Sequence, residues 1–581
     1  MKETLLKEIC PTIFGRDGRL SFLISFLILI STIGYGLAVT NFLNIKEFNY
    51  NYGLIGILGL FILSIISSYT HLFSSHNFTH NIIIYFVGLI SFVFFNKKKT
   101  KHLNYISLVF FLIFVSIIMS KTNEDFGYYH LPNTLQFSEQ KLQFGLGNLN
   151  HGFKHISSLF MIMSLKYLPP FKYYLFNLTN LLFLVFFISF ALKEIYSNNK
   201  KNLNLSNIIL SLLLTLFLTK FSRLAEYGSD ISNQIIVSVY FFFILEIFHN
   251  DKLNLDKKVS YFKLALIMIV FAFTLKFISI IYSILILLCF FLVKQKKKIL
   301  YKLLNKKFIS LISLSTFIFI FLNFASTGCL IYPIEKLCFS SSYNWTLSHE
   351  VINYLSFHYE AWSKGGIGPG FSVENKEEYI LFLNWLPNWF NVYFKGKFSD
   401  YLLVTLLIVL VFTFFYYKEI YLAKNKFQIR KKKKFILYYF LIIIFLMWFL
   451  NFPSLRYAGY IVVFLLIIYP FSILIENKIN FSDKKILKKF TIILCISYSI
   501  FLYKNISRIN NELNFSKDAH HNFNNFPFYW VERKQFEEII LNDHKLYLTT
   551  GKCWNIPSTC ITHTSNLEVS KKNNYIFYSE K

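Results

Sequence analysis

Charge is scarce in this chain, and acidic charge scarcer still: 16% of its 581 residues are charged, and 31 Asp and Glu face 60 Lys and Arg. Soluble domains average about 25% charged residues, so an ordinary soluble domain is excluded. The apolar–polar alternation over about ten residues that a membrane barrel strand needs is also missing. No repeat of solenoid or propeller period is present, and none of the seven cysteines shows CxxC spacing. Leu20–Leu43 is too long for the apolar region of a signal peptide and lacks a convincing cleavage site, so no leader is expected.

Long apolar runs are abundant: the chain is 55% hydrophobic and 20% aromatic. Leu20–Leu43, Phe308–Ala325 and Tyr401–Tyr417 approach or exceed the ~20 apolar residues of a spanning helix. The expected fold is an all-α polytopic membrane protein with about fourteen spans, centred near residues 32, 63, 88, 111, 182, 212, 240, 268, 285, 317, 409, 443, 466 and 496. Six short connections, 96–101, 193–204, 249–263, 294–307, 418–434 and 476–489, hold 4, 3, 4, 7, 8 and 5 basic residues, 31 of the 60. Basic loops beside spans stay cytoplasmic, so the net charge of +29 reads as topology and not as a nucleic-acid surface. The segments 121–171, 220–231, 326–400, 451–456 and 505–581 then fall on one external face, with most of the tryptophans. Fourteen spans would also put the N-terminus outside, although residues 1–19 carry four basic residues against three acidic. The expected division is N-terminal helices over 1–101, a transmembrane core over 102–504 and a small α/β external module over 505–581.

In that module Val531–His544 has helical spacing through Phe536, Ile539 and Ile540, while Lys545–Thr550 and Asn574–Tyr578 read as strands. Cys329 with Cys338, and Cys553 with Cys560, form two closely spaced external pairs. Disulfides fit an oxidising exterior; a zinc site from the four is the rival.

The loop 123–155 carries the densest candidate chemistry. Glu124 and Asp125 stand together directly after a span, and His130 follows within D-x3-YHLP. A carboxylate in a partly desolvated cavity can serve as general base, or with His130 can hold a divalent metal; acidic residues are also ordinary in external loops. Gly145, Gly147 and Gly152 permit close backbone approach. His151 and His155 are spaced for a shared helix face, as metal ligands or as surface histidines. In KFSRLAEYGSDIS, Glu226 and Asp230 are also four apart; Asp230 faces the same cavity or caps the next span. Lys276 separates two short spans and Arg456 sits at an external turn. Ionisable groups at membrane depth are functional candidates, and an arginine fork suits phosphate; snorkelling to the interface is the alternative for both. GGIGPG at 365–370 reads as a turn or a loop that closes over substrate.

Taken together, D-x3-YHLP (Asp125–Pro132), EYGSD (Glu226–Asp230), the stretch Ser326–Phe339, PSLRY (Pro453–Tyr457) and GKCWN-x-P-x2-C (Gly551–Cys560) resemble an uncharacterised bacterial family of multi-pass membrane proteins similar to GT-C superfamily glycosyltransferases. The resemblance implies a GT-C-like core in the bacterial cytoplasmic membrane, a sugar donor on polyprenyl phosphate and transfer to a glycan or lipid acceptor on the outer face. Asp125, with Glu124 and His130, would serve as base or metal holder. Arg456 and Lys276 would neutralise the leaving phosphate, and Glu226 and Asp230 would orient acceptor or metal. A transporter or flippase, and a polymerase or ligase for lipid-linked saccharides, are the competing readings. An inverted repeat with broken midplane helices, usual in transporters, is not evident.

Overall fold

A computed structural model describes residues 16–45, 51–96, 100–118, 125–196, 204–224, 228–251, 253–340, 342–368, 370–422, 431–516, 531, 534–564 and 566–580. Among them, eleven helices are long and apolar enough to cross a membrane. Three shorter apolar helices, Leu103–Ile117, Asn204–Lys220 and Phe277–Leu292, occupy the other positions expected of spans. The chain is a multi-pass membrane protein. Its eighth long helix begins at Leu386 and runs to Phe415, so the preceding polar loop is shorter than 326–400. The last helix, Lys484–Ser516, continues past residue 504.

Helix packing follows from small residues where backbones approach. A side chain on Gly34 of the Arg16–Phe42 helix would start 1.9 Å from the Gly88 carbonyl oxygen of the Phe78–Phe95 helix. Without water to drive apolar association, such close contacts hold membrane helices together. Ser229–His249 lies at the centre and is buried throughout the span. Its 21 residues extend about 30 Å and link two chemically different ends.

At its His249 end the basic connections meet: Lys433 pairs with Asp251 at 3.2 Å, Lys489 with Glu419 at 2.6 Å, and Lys434 with Glu476. At its Asp230 end the large polar segments converge. Ser326 donates to the Phe153 carbonyl at 2.8 Å, and the Trp389 indole donates to the Pro453 carbonyl at 2.9 Å. The charge pattern thus separates the loops into two groups at opposite ends of the bundle.

The C-terminal module is built from strands. Glu537–Leu541 and His544–Leu548 form an antiparallel hairpin, and Cys560–Ile561 adds to it in parallel. Leu567–Lys572 and Tyr575–Glu580 form a second hairpin. The helix expected over Val531–His544 gives way to a strand because the turn chemistry dominates. Asn542 and Asp543 sit at φ 47° and 59°, and Asn573 and Asn574 at 48° and 65°. Paired positive φ values are what a tight two-residue hairpin turn requires, and Asn and Asp tolerate them best. Leu546, Ile561, Val569 and Tyr578 share one apolar cluster with Leu146, Leu149 and Phe153. The module is therefore packed onto the loop that follows Asp125.

Candidate active site

Four segments far apart in sequence deliver charge to one place. Asp125 directly precedes a π-helical turn, Phe126–His130, that runs into the Leu131–Glu139 helix; the Leu131 N–H bonds back to the Phe126 carbonyl, so the two form one continuous helical segment. Asp230 lies in the first turn of Ser229–His249, where Gly228 is the N-cap. Its carboxylate is thus not the cap, although the positive helix end favours its charge. Lys276 ends the Leu255–Leu275 helix in extended conformation (φ −156°, ψ 108°). Arg456 lies where the backbone breaks before Tyr460–Ile475: Tyr457 is at φ −91°, ψ 70° and Ala458 at φ 64°. Left-handed alanine is strained by about 1–3 kcal/mol. The Ala458 carbonyl accepts from the Tyr282 hydroxyl at 2.6 Å, which holds the break.

Arg456 is the hub. Its Nη2 donates to Asp125 Oδ2 at 2.5 Å and its Nε to Asp230 Oδ2 at 2.8 Å. Lys276 Nζ donates to Asp230 Oδ1, and to the Arg456 carbonyl at 3.0 Å. Lys276 also stands 4.7 Å from the centre of the Tyr457 ring. Asp125 and Arg456 are 331 positions apart in sequence. Among the described residues, two carboxylates alternate with two cations and their charges balance. Asp230 is the deepest at 2% exposed, while Asp125 and Arg456 are 28% and 27% exposed. Burial opposes the Asp125 charge, but the Arg456 guanidinium outweighs it and holds the carboxyl below its usual range. Burial pushes the Tyr129 phenol well up.

Asp125, Lys276 and Arg456 line a cavity of about 630 Å³, of a size that suits a small organic ligand. Phe277, Ile278 and Phe319 form an apolar part of its wall; Tyr128, Tyr332, Tyr359 and Trp362 add aromatic surface. The described residues of the Gly-rich stretch 365–370 are not part of the lining; Ile367–Gly368 and Phe371–Ser372 pair as a short hairpin.

Residues 20–463 match a family described as a domain of unknown function (DUF8201). The chain belongs to this family. No curated protein and no solved structure matches it. The family's span contains Asp125, Asp230, Lys276 and Arg456 and ends before the β module.

His130 is buried beside the cluster. It is 2% exposed, and burial lowers its pKa to about 4, so the ring is neutral near pH 7. The ring packs against Gly228, Tyr129 and Phe160, and its Nδ1 has no partner among the described residues. A divalent metal held by Asp125 and Asp230 would have to displace cations from their carboxylates. Asp125 Oδ2 and both Asp230 oxygens face a guanidinium or an ammonium, and no group of three potential metal ligands occurs among the described residues. Glu124 and Glu226 lie outside the described residues.

His151 and His155 are held, not free on the surface. Both Nε2 atoms meet the Tyr359 hydroxyl, at 2.8 and 3.1 Å. They sit on a short 3-10 turn and its end, not on an α-helix. The two closely spaced cysteine pairs form disulfides, Cys329–Cys338 and Cys553–Cys560. The second disulfide closes a loop that braces the Asp125 turn. Trp554, inside it, donates its backbone N–H to the Gly127 carbonyl at 2.9 Å and is 3% exposed. A side chain on Gly127 would start 2.2 Å from the Trp554 ring, so only glycine permits this contact. Asn150 ties the same loop down, donating to Cys553 Sγ at 2.9 Å. Sequence reading missed Trp554 and Tyr359 as site residues, since their partners are more than 200 positions away, and Tyr332, which joins the site through Tyr359. For Trp554 the one available signal was the glycine two residues after Asp125.

Proposed function

We propose that this protein is a membrane glycosyltransferase of GT-C type, transferring a sugar from a polyprenyl-phosphate-linked donor to a glycan or lipid acceptor on the outer face of a bacterial cytoplasmic membrane. The observation that carries the reading is the contact between Asp125 and Arg456 at the cavity, with Lys276 beside them. A carboxylate and a pair of cations are the two tools that glycosyl transfer from a lipid phosphate needs. The cations stabilise charge that develops on the leaving phosphate; the carboxylate takes the acceptor proton.

In the proposed step the acceptor hydroxyl oxygen attacks the anomeric carbon as the bond from that carbon to the phosphate oxygen breaks. The proton passes to Asp125, and the polyprenyl phosphate leaves with its charge against Arg456 and Lys276. Asp230 keeps both cations in place before the donor arrives. An ionised Asp125 tied to Arg456 is a weak base. When the donor phosphate draws the guanidinium toward itself, Asp125 loses its counter-charge, and partial burial then raises its proton affinity. Donor binding and base activation are thereby linked. The basic loops fit the cytoplasmic side under this reading, which puts the cavity outside.

The test is a deletion strain analysed for outer-face glycan and membrane lipids. The reading expects one sugar missing from the glycan while its polyprenyl-phosphate donor accumulates. An unaltered glycan contradicts it, and a whole lipid-linked saccharide stranded on the inner leaflet points to a flippase.

A further inference from the structure

The cavity wall beyond Asp125 contains a cation that the transfer step does not use. Lys154 lies at the end of the 3-10 turn His151–Lys154 and lines the cavity. Among the described residues its ammonium has no hydrogen bond and no ion pair within 4 Å. Glu580 acts on it from beyond that distance, and burial pulls its pKa to about 8, so it still carries charge near neutral pH. Nearby donors are also unused. Tyr128 lines the same wall, its ring stacked 5.5 Å from that of His151, and its hydroxyl has no partner among the described residues. His358, on the wall as well, has an unpartnered buried Nδ1. Glu335, the other acid of the lining, is engaged by His349 at 2.5 Å.

The Lys154 turn is braced from several sides. Asn150 Oδ1 accepts from the Gly152 N–H at 2.8 Å, Asn133 donates to the Gly152 carbonyl at 2.9 Å, and Ser326 donates to the Phe153 carbonyl at 2.8 Å. The lysine is thus held on a fixed wall, beside aromatic surface, with no anionic partner in contact among the described residues and only Glu580 acting from a distance. A partly buried unpaired charge is costly, and such a group persists where an opposite charge completes it on binding.

We infer that Lys154, with Tyr128, forms a second subsite of the cavity that binds an oxyanion carried by a sugar, either a carboxylate or a phosphoryl substituent. The sugar identity of the ligand rests on the proposed transfer reaction; the anionic selectivity rests on the wall itself. In that reaction the subsite selects an acidic saccharide over its neutral counterpart, at a place separate from the Arg456–Lys276 pair that meets the donor phosphate.

The test uses the purified full chain in lipid nanodiscs, with glucuronate, glucose 6-phosphate and glucose as probes at matched ionic strength. Binding is read by thermal shift and by saturation-transfer NMR. At least one acidic sugar is expected to bind more tightly than glucose, and which one tells carboxylate from phosphoryl. Lys154→Met is expected to weaken that probe about tenfold, the scale of one charge-assisted hydrogen bond, and Lys154→Arg to restore it. Without ligand, Lys154→Met should unfold at or above the wild-type temperature, since it removes an unpaired charge, and this checks that the variant is folded. Equal binding of acidic and neutral sugars overturns the subsite. So does glucose 6-phosphate binding that Lys154→Met leaves unchanged, because the anion then sits on other cations of the lining, Arg456, Lys276 or Lys336. Either failure leaves the glycosyltransferase reading to its own test, which depends on Asp125.

Discussion

Removing Arg456 should hurt the protein less when Asp125 is removed with it. The cluster holds two negative and two positive side chains, and Arg456 contacts both carboxylates, at 2.5 and 2.8 Å. Arg456→Met leaves a net charge of −1: Asp230 keeps Lys276, but Asp125 keeps nothing. Breaking a buried ion pair by removing one partner costs about 3–5 kcal/mol. Asp125 is 28% exposed and regains some water, so the lower end, about 3 kcal/mol, is expected here. Adding Asp125→Asn restores neutrality and leaves one buried pair, Asp230 with Lys276. Coupled neighbours deviate from additivity by about 0.5–3 kcal/mol, and about 1–2 kcal/mol of recovery is expected over Arg456→Met alone. The assay is unfolding of the four purified proteins in one detergent, by intrinsic fluorescence and by size-exclusion of the folded fraction after heating. A double variant as unstable as the sum of the two single variants would refute the network.

Two further predictions follow from the brace and from the buried histidine. Gly127→Ala forces the Trp554 ring and the Asp125 turn apart, costing about 1–3 kcal/mol as overpacking does; Trp554→Ala should make the alanine at 127 nearly harmless, which a thermal-melt cycle of the four proteins checks. Stability should also fall as pH drops from about 6.5 to about 4, because the unfolded His130 takes up a proton over that range while the folded ring, with its pKa lowered to about 4, resists. His130 contributes on the order of 3 kcal/mol to this window, and His151 and His155, also lowered by burial, add with the same sign. His130→Asn should therefore make the fall shallower than in wild type without abolishing it, and a variant whose melting profile from pH 7 to 4.5 matches wild type would count against a neutral buried ring at 130.

The spans were legible because a hydrophobic run of sufficient length has few other fates. Asp125, Asp230, Lys276 and Arg456 stood out individually, as ionisable groups at the ends of apolar runs, where burial needs a reason. Their partners were not legible: nothing local says that Arg456 will reach a carboxylate 331 positions earlier. The same limit applied to His151 and His155, whose surface reading failed because Tyr359, more than 200 positions later, covers them. In the tail, Phe536, Ile539 and Ile540 fit a helical period, and the strand won through Asn542-Asp543. That signal was in the sequence, at the spacing a two-residue hairpin uses. The clamp of Trp554 on Gly127 joins the chain's last module to its first large polar loop, so the glycine marked a close approach at 127 without naming what approaches.

The measurement that tests the central claim most directly is outer-face glycan composition in cells carrying Asp125→Asn, beside wild type and a full deletion, with membrane levels of the protein matched. The account predicts that the asparagine variant lacks the same sugar as the deletion, since the carboxylate that accepts the proton is gone while the protein remains. A normal glycan in the variant, with a defective one in the deletion, would contradict a catalytic role for Asp125 and with it the proposed transfer reaction.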